Sequence, residues 1–497
     1  MNTALFLLCW SPVLLLTVLA VVFRRPALEL SIWGCLFTFA LVVFAFDTRV
    51  GIAFLSALDG VFTTLPLLLV IFAGILLSSL LMSTGSLARI VTWLKGAAGD
   101  AFGRNLLITL GVGNFMEGAG VIAEPVVAPM LHAAGVSPVG SAALSIVGYA
   151  GLMTLEMAGI IVTVLSLVTG IPVQELGVAS AWLSIPATLI MALCVPLFLP
   201  KPAGGLRRVA TAGACGLFLG FTALACAAWV GVSISGTVAG LVLIAVFILF
   251  GPGGLRLDRA VAVDLAPFAF MLAALLAVNT VPALKTLAFE KLVIEVAFVP
   301  VHTITFRPLF SAYLYLFAAF ALAAVFLQVP AEQLRSVLRG GFSKGWRAFV
   351  AMGLFGAMGQ MIAYSGYGAD FAAVDPARNI PFVLSEGLKT TTGSLYPVFV
   401  PFLGWVGTFL TGYGVASLML FGQLQVQASG LLGISATWLS AGLAVGASLG
   451  SISSPFKIAL ATPMCNAVGK EGAILRLTIP LGIGASFLVG LVLWLVA

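Results

Sequence analysis

The chain has 497 residues, of which 61% are hydrophobic and only 8% are charged, and its mean hydropathy is +1.19. A soluble globular domain carries about 25% charged residues, so this composition excludes a soluble fold and indicates a polytopic membrane protein. The formal net charge of +6 is modest and gives no reason to expect a nucleic-acid partner.

In chain order, apolar runs of about 20 residues mark the predicted membrane crossings. The first run carries its arginines after the apolar stretch and exceeds the core of a signal peptide, which predicts a retained helix. The fourth run is too long for one straight span, so we expect it to be tilted or broken. The twelve crossings lie near residues 3–23, 28–46, 65–82, 139–169, 177–199, 207–232, 234–250, 264–282, 309–327, 346–364, 436–455 and 474–497.

Two glycine-rich stretches interrupt apolar sequence and are not counted as crossings. They lie near residues 106–132 and 395–427, and they repeat each other: between 111–121 and 405–415, six of eleven positions are identical. Interrupted apolar segments at matching places in two halves are the best sequence indication of a transporter binding site. We therefore predict two re-entrant hairpins.

The hairpins belong to a longer repeat that predicts the organisation of the chain. Residues 1–200 form the first repeat, 261–497 form the second, and 201–260 supply connecting transmembrane helices. Each repeat holds about five crossings plus its hairpin. The loop entering the first hairpin is basic and the loop entering the second is acidic on balance, so the copies should be inverted across the membrane. The predicted fold is an all-α polytopic membrane protein with two inverted repeats.

The charged loops predict which side of the membrane each loop faces. Cytoplasmic loops of membrane proteins carry an excess of lysine and arginine. With the twelve crossings above, all the basic loops fall on one side, which should be the cytoplasmic side. These loops lie near residues 24–25, 89–104, 201–208, 256–259 and 335–347.

Three glutamates lie at predicted membrane depth. A charge there costs roughly 2.5–3.5 kcal/mol and usually marks a substrate or ion path. Glu117 and Glu124 belong to the first hairpin, and Glu156 lies on the helix that follows it. A buried carboxylate can bind a proton on one side of the membrane and release it on the other, so all three are candidates for proton coupling. The alternatives are a helix cap for Glu117 and Glu124 and a fixed structural ion pair for Glu156.

Lys457 follows the second hairpin at nearly the place that Glu156 has after the first. We predict that Lys457 binds an anionic substrate and that Glu156 neutralises Lys457 when the site is empty. A fixed ion pair is one alternative, and a lysine that extends to the membrane surface is another.

Neutral hydrogen-bond donors at broken helix ends suit a small carboxylate. Hydroxyl groups also serve helix packing in membranes, and aromatic residues also form belts that face lipid, so those alternatives stay open for each residue. The predicted substrate-binding set beside Lys457 consists of Asn114, Thr392, Ser394, Tyr396, Thr411, Ser417, Ser453 and Ser454.

Other functional classes find less support. Six scattered cysteines and two histidines offer no metal-ligand spacing, and no phosphate-binding loop is present, so we predict no metal site, no cofactor and no built-in ATPase. An intramembrane enzyme would need a converging pair of groups, and only Ser454 lies near Lys457 in the sequence. A passive channel would need a repeated ring of like residues.

The chain resembles the L-lactate permease family in stretches that run through both halves. The resemblance implies a carrier of lactate, glycolate and related 2-hydroxymonocarboxylates together with protons. Through that family the chain is similar, more remotely, to inverted-repeat anion carriers. This similarity implies a dimer that works by an elevator motion. The stretches are Gly113-Asn-Phe-Met-Glu-Gly-Ala-Gly120, the run from Thr392 to Gly412, Leu420-Phe-Gly-Gln-Leu-Gln425, and Ser454-Pro455 followed by Val468-Gly-Lys-Glu471.

The departures from the family's pattern fall where substrate should bind. They are Val121-Ile-Ala-Glu-Pro125 in the first hairpin, Tyr413-Gly-Val-Ala-Ser-Leu418 in the second, and the charged residues Glu156 and Lys457. The resemblance to the family therefore supports the fold more strongly than it supports lactate as the substrate.

Together these features predict a multi-pass protein of the cell inner membrane. It should move a small organic monocarboxylate, lactate or a related 2-hydroxy acid, by proton symport, and it should act as a homodimer in the lipid bilayer. One alternative is a carrier of a different small organic anion, with sodium as a possible coupling ion. Another is a cation/proton antiporter that uses the intramembrane glutamates, with Lys457 structural.

Overall fold

The computed structural model describes residues 3–23, 25–95, 100–199, 205–250 and 258–497. Parts of the predicted basic loops at 24, 96–99, 200–204 and 251–257 lie outside these ranges, as does the predicted repeat boundary at residue 200. The described chain is nearly all α-helical and contains one β-hairpin.

The first half of the chain consists of helices, several of them short. They are α1 (Thr3–Cys9), α2 (Ser11–Thr17), α3 (Ala27–Phe44), α4 (Val50–Ser83), α5 (Ser86–Lys95), α6 (Ala101–Leu106), α7 (Gly113–Gly118), α8 (Glu124–Ala133), α9 (Pro138–Ala150), α10 (Ile160–Thr169), α11 (Val173–Cys194), α12 (Gly205–Trp229) and α13 (Ser235–Phe250). A π-helical stretch, Leu107–Val112, joins α6 to α7.

The second half contains the two strands and ends in a long helix. Its elements are α14 (Arg259–Thr280), α15 (Pro282–Thr286), β1 (Ile294–Val299), β2 (His302–Phe306), α16 (Ala312–Phe326), α17 (Ala331–Ala363), α18 (Ile380–Thr392), α19 (Tyr396–Thr411), α20 (Gly414–Leu432), α21 (Ala436–Gly450), α22 (Pro455–Ala461) and α23 (Glu471–Val496).

Eight helical spans among the described residues are long and apolar enough to cross a membrane. A ninth candidate is the pair α21 and α22, which passes the same test across a bend of 49°. The prediction of a polytopic membrane protein is therefore confirmed. The count of twelve crossings and the inversion of the repeats stay predictions.

Helices α4 and α17 form a long antiparallel pair. A Cβ added at Gly60 would overlap the backbone of Gly356, and one added at Gly341 would overlap the side chain of Leu76, so the two helices are in close contact along their length. Small residues permit this approach, and the resulting van der Waals packing holds membrane helices together. With 34 and 33 residues, both helices extend past the crossings predicted at 65–82 and 346–364.

Four breaks interrupt the helices near the middle of the fold. They lie at 119–123, 151–159, 412–413 and 451–454. Three of them contain a glycine with positive φ, Gly120 at 78°, Gly159 at 71° and Gly412 at 85°, a conformation that strains a residue with a side chain. As predicted, the run 139–169 is broken, between α9 and α10.

The predicted second hairpin is an antiparallel helix pair, α19 and α20. The hydroxyl of Tyr396 donates to Oε1 of Gln425 over 3.0 Å, and the hydroxyl of Ser417 donates to the carbonyl of Gly404 over 2.9 Å. In the first hairpin, α8 packs back against the π-helical stretch before α7. Both glycine-rich stretches thus turn the chain back on itself.

One element corrects the all-α prediction. Strands β1 and β2, in the segment between two predicted crossings that had no assigned structure, pair antiparallel with Ile294 opposite Phe306 and Val296 opposite Ile304. Alternation of polar and apolar residues from Thr303 to Phe306 is the signal that could have indicated a strand. It was missed because long apolar runs dominate the pattern of the chain.

His302 attaches this β-hairpin to the helices. Its Nδ1 lies 2.8 Å from Oδ2 of Asp59 in α4, and its Nε2 lies 2.8 Å from the carbonyl oxygen of Leu167 in α10. Gln360 of α17 donates to the same carboxylate oxygen over 3.0 Å. Because a carboxylate and a carbonyl are both acceptors, the two bonds form together only when both ring nitrogens carry protons.

The pKa of His302 supports a charged ring. Burial lowers this pKa, but the hydrogen bond to Asp59 and the charge of Asp59 more than compensate, and the pKa lies above its ordinary value. A pKa that folding raises contributes stability that is complete below the unfolded value of about 6.5 and is lost as pH rises through the folded value.

We expect His302→Ala to destabilise the protein more at pH 6 than at pH 9, by about 1.5–3 kcal/mol at the lower pH, because a charge-assisted bond is lost. Thermal unfolding of the purified protein in detergent measures the difference. His132→Ala, at the other histidine of the chain, is the control. An equal loss of stability at both pH values for His302→Ala would contradict the charged ring.

Candidate functional site

The site is built around Lys457 in the first turn of α22. The hydroxyl of Ser454 caps this helix by accepting a bond from the backbone N–H of Lys457 over 3.4 Å. Lys457 is only 7% exposed. A cation near a helix N-terminus meets the positive end of the helix dipole, and burial adds the cost of desolvation, so this ammonium depends on anionic partners.

Three side chains surround the ammonium of Lys457. Its Nζ lies 3.3 Å from Oε1 of Glu117, 3.2 Å from Oε1 of Glu124 and 3.0 Å from the hydroxyl oxygen of Tyr149. An ammonium has three donors, so these three acceptors match its full capacity. Glu117, Glu124, Tyr149 and Lys457 are hereafter the lysine cluster.

The lysine cluster continues into the protein through further hydrogen bonds. The hydroxyl of Tyr149 donates to Oε1 of Glu124 over 2.6 Å. The backbone N–H of Ala123, in the break of the first hairpin, donates to Oε2 of Glu117 over 3.0 Å. The first hairpin, α9 and α22 are therefore joined through one ammonium.

Glu156 lies in the neighbouring break and is fully buried. Neither of its carboxylate oxygens has a hydrogen-bond partner within the described ranges, and the same is true of Oε2 of Glu124. Glu156 was predicted to neutralise Lys457, but the direct partners of the lysine are the two glutamates of the first hairpin. Buried polar atoms nearly always have a partner, so these carboxylate oxygens are unsatisfied groups of the site.

A cavity of about 470 Å3 lies against the lysine cluster. All four helix breaks, or the residues next to them, contribute to its wall. Helices α4 and α17 supply the opposite wall. The lining residues near the breaks are Glu117, Ile122, Pro125, Met153, Met157, Tyr413, Gly414, Val415, Phe456 and Lys457, and those of α4 and α17 are Leu67, Ile71, Ile75, Ser79, Met82, Arg347 and Met352.

The cavity opens at one end. Met82 at the end of α4 and Met464 beyond α22 both line it and are 44% and 40% exposed. Glu117 and Lys457 line it at the buried end, whereas Glu124 does not belong to its wall. A molecule that enters past Met82 and reaches the buried end would therefore meet Lys457 and Glu117 there, but not Glu124.

The eight neutral residues predicted to bind substrate lie elsewhere. None of them lines this cavity. Those whose hydroxyl donates to a backbone carbonyl are Thr392, Thr411, Ser417 and Ser453. Ser454 caps α22, Asn114 donates to the carbonyls of Leu110 and Gly148, Tyr396 pairs with Gln425, and Ser394 is exposed.

Three residues of the site were absent from the predicted binding set, namely Tyr149, Arg347 and Tyr413, although Tyr413 begins a stretch that departs from the family's pattern where substrate should bind. The hydroxyl of Tyr413 is buried and has no hydrogen-bond partner in the described part of the chain. A signal for the two tyrosines existed, because the chain has only seven and both stand next to a glycine in a broken stretch. Arg347 gave no signal, since it resembled other basic residues at a loop.

Broken helices that meet at a buried charge cluster beside a cavity define the site of a membrane transporter. The comparisons with known proteins agree with this class. The family model described as L-lactate permease matches residues 5–251 and 260–497. The chain belongs to the L-lactate permease family, and it is a membrane transporter and not an enzyme.

The individual relatives differ in sequence identity and in how much of this chain they match. An L-lactate permease of Streptococcus iniae is 22% identical over 454 residues, which cover 86% of this chain and 92% of that protein. The glycolate permease GlcA of Escherichia coli is 39% identical over 101 residues, about a fifth of each chain. The crystal structure of the YdaH transporter of Alcanivorax borkumensis aligns over 95% of this chain and 98% of its own with a TM-score of 0.49 and 12% identity.

We expect Tyr149→Phe to lower the stability by about 1–3 kcal/mol, because Glu124 and Lys457 each lose a buried hydrogen-bond partner. Tyr396→Phe is a matched control, since it removes one hydroxyl from another fully buried tyrosine, whose hydroxyl donates to Gln425. Thermal unfolding and uptake assays should show that both variants lose stability while only Tyr149→Phe loses transport. Equal transport in the two variants would contradict a role for Tyr149 in the site.

Proposed function

We propose that the protein is a symporter that moves a small organic monocarboxylate together with a proton, with Lys457 binding the carboxylate. The observation that supports this is the lysine cluster, in which one buried ammonium at the cavity wall is held by two carboxylates. Lactate or a related 2-hydroxy acid is the proposed substrate, because the relatives that match are named L-lactate permease and glycolate permease.

Substrate binding requires an exchange of partners at Lys457. All three donors of its ammonium face acceptors, so an incoming carboxylate has to displace one of them. Glu117 is the partner that reaches the cavity. When Glu117 takes up a proton it loses its charge, and the carboxylate of the substrate can replace it on Lys457.

The charge count of the site favours coupling to a proton. Three buried glutamates and one lysine sum to a charge of −2 when all are ionised, and a monoanion alone would make this −3. Uncompensated buried charge is costly. A proton that enters with each anion leaves the count unchanged. One proton per anion makes the cycle electroneutral, and each extra proton would add about 2.3 kcal/mol per 100 mV.

We propose the inverted-repeat architecture for the same carrier. In support, the two halves share one order of elements: a broken hairpin, a helix with a second break, and a long helix. These are α7 to α11 and α19 to α23. We propose with it the re-entry of both hairpins and the division at residues 1–200, 201–260 and 261–497, on the internal sequence repeat. We also propose a location in the cell inner membrane and, on the family resemblance, an elevator motion and a homodimer.

A cation/proton antiporter is the second candidate, because three glutamates and one lysine give the site a surplus of negative charge. In that case Lys457 would serve only to hold the first hairpin and α22 together. The two candidates differ in what the loss of Lys457 does to transport. An antiporter would retain cation exchange without it, whereas the symporter would lose its anion site.

We expect Lys457→Gln to abolish uptake of labelled lactate into proteoliposomes, because glutamine cannot supply the charge that binds the anion. Lys470→Gln, at an exposed lysine of the same region, should leave uptake unchanged. Gel filtration of both variants checks that they fold. Normal uptake kinetics in Lys457→Gln would refute the anion site.

Proton coupling has its own test. Uptake of lactate should rise when the outside of the proteoliposomes is made acidic, and Glu117→Gln, which imitates a permanently protonated acid, should retain binding while losing this response. The measurement is the initial rate with and without an imposed pH gradient. Accumulation that ignores the gradient in the unchanged protein would remove proton symport from consideration.

A further inference from the structure

We propose that the cavity selects monocarboxylates whose aliphatic chain is longer than the methyl group of lactate. The carboxylate would lie between Lys457 and the hydroxyl of Tyr413, and the chain would extend along the apolar wall. This inference rests on the proposed function, because it takes Lys457 as the carboxylate site. It goes beyond that function by specifying the shape and polarity of the substrate and a second polar contact with the protein.

Tyr413 supplies that contact. Its ring packs against the ring of Phe456 with centroids 4.8 Å apart, and Phe456 directly precedes Lys457. The hydroxyl is buried yet has no hydrogen-bond partner among the residues that the structure describes. Buried polar groups in native structures nearly always have a partner, and Tyr413 is one of the residues that line the cavity. A carboxylate oxygen of the substrate would accept its proton.

Most of the remaining wall is apolar. Close to the breaks it is mainly isoleucine, methionine, valine and phenylalanine side chains, and α4 contributes leucine, isoleucine and methionine side chains with one serine. A volume of about 470 Å3 falls within the range of roughly 300–1,000 Å3 that suits ligands much larger than a three-carbon acid. An aliphatic chain would fill this space and would remove apolar surface from water.

A second carboxylate fits this wall poorly. Among the side chains that the structure describes, the only cationic residue of the lining besides Lys457 is Arg347, which is exposed and lies over the ring of Trp346 at 5.7 Å. Within the same described set, Ser79 and Tyr413 are the hydroxyl residues of the lining. A buried charge without partners is costly, so a dicarboxylate should bind more weakly than a monocarboxylate of equal length.

Calorimetric titration of the purified protein tests the proposal with lactate, 2-hydroxybutyrate, 2-hydroxyhexanoate and malate. Affinity should rise about fourfold for each methylene group that the cavity buries. Malate has the same four-carbon chain as 2-hydroxybutyrate but a carboxylate in place of the methyl group, and it should bind more weakly. Affinity that stays constant or falls with chain length, or tighter binding of malate, would overturn the proposal.

Substitutions at Ile75 and Tyr413 test which residues produce the preference for longer chains and the second polar contact. Ile75→Trp fills part of the wall and should remove the advantage of 2-hydroxyhexanoate while lactate still binds. Ile32→Trp, on an exposed face of α3, is the matched control and should preserve the advantage. Tyr413→Phe should weaken all the monocarboxylates about tenfold without changing their order. A Tyr413→Phe variant that binds as well as the unchanged protein would exclude the second contact.

Uptake into proteoliposomes, measured separately, distinguishes this proposal from the function it rests on. Acids that bind more tightly with increasing length but never enter in response to a pH gradient would refute proton symport and support the cavity assignment. Lactate uptake that follows the gradient, together with affinities that ignore chain length, would support symport and refute the cavity assignment.

Discussion

A single buried ammonium organises the centre of this transporter. Lys457 lies near the start of a short helix, where burial and the helix dipole both oppose its charge, and it is stable there because Glu117, Glu124 and Tyr149 surround it. Removing one partner of a buried ion pair typically costs about 3–5 kcal/mol. The positions of the first hairpin, α9 and α22 are therefore coupled through this charge.

The broken helices follow from the same requirement. Backbone groups at membrane depth have to be satisfied within the protein, and irregular backbone is tolerated there only where protein or a cavity covers it. In the first hairpin the free N–H of Ala123 meets Glu117, so the break that exposes a backbone donor also positions a carboxylate against Lys457. The left-handed glycines at 120 and 412 let the chain turn within a few residues. The break in the first hairpin and the charged groups of the site thus lie in the same short stretch of chain.

The sequence predicts the location of the site better than its contacts. Glu117, Glu124 and Lys457 are conspicuous because they are charges within apolar sequence, whereas Lys457 and Glu117 are 340 residues apart, and no local pattern predicts that they touch. Equivalent positions in the repeat suggested Glu156 as the partner, but tertiary packing decided the pair. The neutral hydroxyl residues do not line the cavity, and sequence could not show this because a serine or threonine in a helix can bond a carbonyl of its own turn, as Thr411 does with Gly407. The strands were obscured by the long apolar runs around them.

In the proposed mechanism, the contacts that stabilise Lys457 are also the contacts that a substrate replaces. A carboxylate that exchanges with Glu117 on Lys457 substitutes one ion pair for another of similar geometry, and such an exchange gains little net free energy. Any binding free energy beyond that of the ion-pair exchange has to come from groups that have no partner among the described residues. The hydroxyl of Tyr413 and the apolar wall formed by α4, α17 and the breaks are such groups. In this scheme the ion-pair exchange couples the anion to the proton, and the remainder of the cavity sets the affinity and the choice of substrate.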